Sequence, residues 1–118
     1  MSLRCLIVDD NASFLQAAST LLMREGLTVA GLASNAADAV RLARQLRPDV
    51  VLVDIMLGGD SGFDVARQLA AADGSGPTVI VVSTHAQTDF AELIDEAPAA
   101  GFVSKSELSA EAIRKLVG

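Results

Sequence analysis

Short apolar runs alternate along the chain with longer stretches in which apolar residues recur every three or four positions. Leu3 to Val8 predicts a first strand. Phe14, Leu15, Ala18, Leu21 and Leu22 share one face of a helix that Gly26 stops. Thr28 to Ala33 predicts a second strand. Ala36, Ala39, Val40 and Ala43 form the apolar stripe of a second helix ended by Pro48. Val50 to Val53 is a third strand, apolar at every position. Ser61 and Asp64 have the spacing of a capping box, which satisfies free amides at a helix start, and Val65, Ala66 and Leu69 then face the core. Residues 73–77 predict a turn and Thr78 to Val82 a fourth strand. A helix over roughly 88–97 follows and ends before Pro98, because the residue preceding a proline avoids the helical region. Gly101 to Ser104 is the fifth strand, and Ile113, Leu116 and Val117 mark a last short helix.

Strands that read as apolar throughout belong in a sheet buried on both faces. Strands alternating with helices make that sheet parallel and doubly wound. The expectation is an α/β fold, a single five-stranded parallel sheet with helices on both faces, occupying residues 1–118 as one domain. Function in such sheets gathers at the carboxyl ends of the strands.

Composition narrows the chemistry. Apolar residues make up 51% of the chain, enough for a core, and the formal charge is −6. An acidic surface is a poor ligand for nucleic-acid phosphates, so direct DNA or RNA contact is not expected. The lone cysteine, Cys5, excludes an internal disulfide and a cysteine-built zinc site, and its apolar surroundings predict a buried thiol. No apolar stretch reaches the ~20 residues of a membrane helix, and the short apolar opening runs into two acids, unlike a signal peptide. A cytoplasmic location without membrane contact is therefore expected.

The predicted strand ends carry the chemistry. The first ends in Asp9-Asp10, the third in Asp54, the fourth in Ser83-Thr84, and the fifth runs into Lys105. Acids commonly end strands simply as loop residues. Here three carboxylates, a hydroxyl and an ammonium gather on one sheet edge, whereas the second strand ends in plain Ala33-Ser34. Clustered carboxylates invite a hard divalent cation, and magnesium prefers oxygen ligands while keeping several waters. A carboxylate is also a nucleophile toward phosphorus, giving an aspartyl phosphate.

These pieces together resemble the receiver domain of two-component response regulators. They are Leu6-Ile7-Val8-Asp9-Asp10, Pro48-Asp49-Val50-Val51-Leu52-Val53-Asp54, Gly62, Ser83 and Gly101-Phe102-Val103-Ser104-Lys105, in order and across the whole chain. The resemblance implies a flavodoxin-like, receiver-type fold. It implies Asp54 as phosphoacceptor, and a magnesium ion held by Asp10 directly, by Asp9 largely through water, by Asp54 and by the backbone carbonyl of Met56. Lys105 would contact the phosphoryl group, and Ser83 and Phe102 would form the switch pair. It further implies a phosphorylation-dependent signalling switch that catalyses only its own phosphorylation and dephosphorylation and is otherwise not an enzyme. Its expected partners are a sensor histidine kinase or phosphotransfer protein upstream and an output domain or downstream protein; a homodimer is compatible with it. The sequence departs from the usual pattern at Gly58, Thr84, Pro98 and Ser106, none of which is a reacting group. Two other classes compete: a receiver-like interaction module that is never phosphorylated, and a phosphohydrolase with an aspartyl intermediate. Phosphohydrolases of the haloacid dehalogenase type want a second acid where this chain has Met56.

Overall fold

A computed structural model describes residues 3–57, 60–69, 76–83 and 100–117. The elements, in order, are β1 (Arg4–Val8), α1 (Ala12–Arg24), β2 (Thr28–Ala33), α2 (Ala36–Leu46) and β3 (Val50–Asp54). They continue with β4 (Met56–Leu57), β5 (Asp60–Ser61), α3 (Gly62–Leu69), β6 (Thr78–Ser83), β7 (Gly101–Ser104) and α4 (Ala110–Val117), with a 3-10 turn at Lys105–Glu107 before α4. The helix expected over 88–97, with Pro98, lies outside the described residues.

Five strands form one parallel sheet in the order β2-β1-β3-β6-β7. This is the doubly wound arrangement read from the sequence. β3 is central and buried at every position. Alternation along the strands separates the interior into two cores. Leu6, Val8, Val51, Val53, Val79 and Val81 meet Ala39, Val40 and Ala43 of α2 and Phe63, Val65, Ala66 and Leu69 of α3. On the other face Cys5, Ile7, Val50, Leu52, Ile80, Val82 and Val103 meet Leu15, Ala18 and Leu22 of α1 and Ala110 and Ile113 of α4. Each core therefore takes every second residue of the same strands.

Local chemistry sets the helix ends. Asn11 caps α1, accepting the Phe14 N–H at 3.2 Å, and Asn35 caps α2, accepting the Asp38 N–H at 2.8 Å. Gly26, at φ +94°, turns the chain out of α1. Arg47, at φ 48°, closes α2 in the left-handed region, because Pro48 disfavours another right-handed residue before it. The start of α3 differs from the expected capping box. Ser61 Oγ accepts the Phe63 N–H at 3.2 Å, and Asp64 pairs with Arg67 at 2.7 Å. A side chain one turn ahead is a nearer partner for Asp64 than the amide behind it.

Asp49, part of a motif matched above, lies at the opposite edge of the sheet from Asp54. Its Oδ2 accepts the Arg4 N–H at 2.9 Å and its own N–H reaches the Arg4 carbonyl at 2.8 Å, so it fastens the start of β1.

Candidate functional site

Parallel strands bring their carboxyl ends to a common edge, so the groups that end them meet there. Asp9 and Asp10 follow β1, Asp54 ends β3, Ser83 ends β6, and Lys105 follows β7 in the 3-10 turn. Backbone bonds fix the exits: Asp9 N–H to the Ala33 carbonyl at 3.0 Å, and Ile55 N–H to the Val82 carbonyl at 3.0 Å.

Asp9 is fully buried, Asp54 is 8% exposed, and Asp10 is exposed. One Asp9 oxygen, Oδ1, accepts the Asn11 N–H at 2.8 Å. The other, Oδ2, lies 2.6 Å from Lys105 Nζ. That contact is an ion pair without good hydrogen-bond direction, so this enclosed oxygen has charge compensation but no directed donor. Lys105 donates to Asp54 Oδ2 at 3.2 Å, so one ammonium bridges two carboxylates. Burial alone would lower the pKa of Lys105. Its close ion pair with Asp9, its bond to Asp54 and the charges of both outweigh that and raise it. The ammonium is thus held charged inside the pocket.

Asp9, Asp10 and Asp54 each offer a carboxylate oxygen, and these oxygens lie within 4.8 Å of one another. Three carboxylates against one ammonium leave two negative charges, the charge a divalent cation cancels. All the donors are oxygens, and one buried oxygen lacks a directed partner, so the residues present fit a hard cation such as magnesium. Met56 opens β4, two residues beyond Asp54, where a backbone ligand would be needed.

The short hairpin of β4 and β5 was not legible in the sequence; Met56 pairs with Ser61 and Leu57 with Asp60. Its return brings Gly62 against Asp54. Gly62 N–H donates to the Ile55 carbonyl at 2.8 Å. A Cβ there would overlap the Asp54 carbonyl oxygen and stand 2.9 Å from Ile55 Cα. Gly62 is therefore what allows helix α3 to begin directly behind Asp54.

Ser83 is 2% exposed and lies opposite Ser104. Phe102 lies opposite Val81, half-buried against the core that faces α2 and α3. The period of two places Ser83 and Phe102 on the same side of the sheet, one strand apart. Thr84 and His85 lie outside the described residues.

One contact was missed. The periodicity assigned Phe14 to the core face of α1, yet its ring centroid lies 4.3 Å from Lys105 Nζ. Its place one turn after the cap was the available signal. Helical side chains lean toward the N-terminus, here toward the acids.

A profile of the response regulator receiver domain matches residues 5–117. The chain is 41% identical over 88 residues to the protein PilH of Pseudomonas aeruginosa, covering 73% of this chain and 72% of PilH. It is 38% identical over 94 residues to the DNA-binding response regulator MtrA of Mycobacterium tuberculosis, covering 80% of this chain but 39% of MtrA. Among solved structures, the signal receiver domain of NarL from Mycobacterium tuberculosis superposes with a TM-score of 0.85 at 25% identity, covering 99% of this chain and 98% of that one. A two-component response regulator of the LuxR family from Aurantimonas sp. gives 0.84 at 29% identity, covering 99% and 86%. With strand-end acids meeting a bridging lysine on one edge of its sheet, the chain belongs to the response regulator receiver domain family.

Proposed function

We propose that this chain accepts a phosphoryl group on Asp54 from a histidine kinase or phosphotransfer protein and relays it as a conformational change. One observation carries the reading. Asp54 ends the central strand, 3.2 Å from the only ammonium in the pocket among the described residues and grouped with two further carboxylates.

An Asp54 carboxylate oxygen forms the new bond to phosphorus as the bond to the donor's nitrogen breaks, and the leaving imidazole takes up a proton. Lys105, held charged beside Asp54, turns from its carboxylate to the incoming phosphoryl oxygens. Ser83 donates its hydroxyl to another of those oxygens. Asp9, Asp10, Asp54 and the Met56 carbonyl would hold magnesium, which when bound supplies neutralisation of the phosphoryl charge. The chain modifies only itself, so it is a switch rather than an enzyme acting on a separate substrate.

The family and the charge of −6 support an output carried by another domain or protein rather than nucleic-acid contact by this domain. MtrA, named as a DNA-binding regulator, is longer than the matched stretch, which fits an output outside it. No helix among the described residues is long and apolar enough to cross a membrane, which supports a cytoplasmic setting.

The test is acetyl phosphate with magnesium, read by intact mass. One added phosphoryl group, absent in Asp54→Ala, is the expected result. Steady phosphate release without accumulated label would favour the phosphohydrolase, and no label at all the passive interaction module.

A further inference from the structure

Four contacts close a ring around the lysine. Asp9 Oδ1 accepts the Asn11 N–H at 2.8 Å, and Asn11 Oδ1 accepts the Phe14 N–H at 3.2 Å. The Phe14 ring centroid lies 4.3 Å from Lys105 Nζ, and Nζ lies 2.6 Å from Asp9 Oδ2. The helix cap that starts α1 thus also aims an aromatic ring at the pocket's ammonium. Phe14 is half-buried and the Lys105 side chain is 14% exposed. A cation over an aromatic face is worth more when water is excluded, equivalent to roughly two- to thirtyfold in an equilibrium constant.

We propose that Phe14 is a positioning residue: its ring holds the Lys105 ammonium between Asp9 and Asp54 and so sets how readily the pocket exchanges its internal cation for a metal. Two cations cannot share Asp9 Oδ2 at 2.6 Å without strong repulsion, so a divalent ion that engages this carboxylate displaces Lys105 from it. A ring that retains the ammonium opposes the displacement. The same ring limits the lysine's swing, keeping it within reach of Asp54 when the phosphoryl group arrives. The second consequence rests on the phosphorylation reading above; the first does not.

The sequence has two lysines, and Lys115 is exposed, so lysine-selective 13C labelling yields one reporter and one internal reference. In the unmutated metal-free protein the ε-methylene protons of Lys105 are expected upfield of those of Lys115, shifted by the ring current. Phe14→Leu keeps an apolar side chain and removes the π face. It should abolish that displacement and tighten magnesium binding by roughly two- to thirtyfold, the range of the lost cation–ring attraction. Phe14→Trp should restore both wild-type values. Labelling by acetyl phosphate should be slower in Phe14→Leu at saturating magnesium. A ring that served packing alone would weaken metal binding when removed, or leave it unchanged, and either result overturns the proposal. So does an undisplaced Lys105 signal in the unmutated protein, which settles the matter even if Phe14→Leu does not fold. If the displacement and the metal effect appear while the unmutated protein takes no label, the positioning role stands and the phosphorylation reading falls.

Discussion

Gly62 packs against Asp54 so closely that a methyl group on Gly62 would overlap the Asp54 carbonyl oxygen. Two effects of Gly62→Ala therefore oppose each other. Alanine is the better helix former by about 0.5–1 kcal/mol. The overlap is with backbone on a buried strand, and forcing groups into such space costs about 1–3 kcal/mol. The clash wins, and the variant is expected to be less stable by about 1–2 kcal/mol in urea titrations. It should also accept phosphate more slowly, since relief of the overlap moves the acceptor. A gain in stability would mean that the start of α3 can withdraw from Asp54 freely.

Magnesium should stabilise the domain through the acid cluster. At ten times its dissociation constant it should add roughly 1.4 kcal/mol. Thermal melts with and without the ion measure this. The shift should vanish in Asp10→Ala, whose exposed carboxylate is not part of the lysine bridge. An equal shift in variant and parent would place the ion elsewhere.

Lys105→Met should destabilise the metal-free protein. It leaves Asp9 fully buried without its charge partner and Asp54 nearly so. Removing one partner of a buried pair costs about 3–5 kcal/mol, reduced here because Lys105 retains some exposure, to about 2–3 kcal/mol. Magnesium should recover most of that loss. A chemical denaturation series at several magnesium concentrations shows whether the recovery occurs; no loss in the metal-free variant would show that the bridge is energetically idle.

Cys5 should give the domain an alkaline limit. Burial first, and the charge of Asp49 second, push its thiol from the ordinary 9.0 up to about 11. A raised folded-state pKa means the native chain holds this proton more tightly than the unfolded chain. Its contribution is complete below pH 9 and is lost as the pH climbs through about 11. Over that window stability should fall by roughly 2–3 kcal/mol from this group. Tyrosine, which would titrate in the same window, is absent. Cys5→Ala should lower stability overall but flatten this slope, measured by urea midpoints from pH 8.5 to 11. Parallel profiles would assign the alkaline loss to other groups.

Beryllofluoride bound at Asp54 should shift backbone NMR signals from the pocket along β7 to Phe102. The motive is that Ser83 and Phe102 share one side of the sheet on adjacent strands. A phosphoryl mimic adds negative charge and acceptors beside Ser83, and only a few kcal/mol are needed to bias a two-state element. Ser83→Ala should blunt the distant shifts and leave magnesium affinity nearly unchanged. Shifts confined to the neighbours of Asp54 would describe a binding pocket without a relay.

The sheet was legible because its strands are short, apolar and bounded by turn residues. β2 and β7 run as the pattern predicts, and β6 extends one residue further, to the polar Ser83. The acids and Lys105 were legible because strand ends of a parallel sheet must meet. Relationships set by three-dimensional proximity were not. Nothing in Met56–Ser61 alternates strongly enough to announce a hairpin. Ser61 and Asp64 have capping-box spacing, but their bonds depend on which neighbour lies closer. Phe14 satisfies the core periodicity of α1 and the lysine contact at once, and periodicity reports only the first.

The order of the strands assigns different stiffness to different tasks. Asp54 ends the central strand, flanked on both sides by paired backbone and sealed between two cores. Phe102 sits on β7 at the margin of the sheet, half-buried, with a laddered strand on only one side among the described residues. A ring at the margin can change its seat while the packing beneath Asp54 stays intact; the same ring on β3 would have to break that packing to move. The architecture thus resembles an instrument with a clamped anvil at Asp54 and, at Phe102, a pointer mounted where the frame yields most easily.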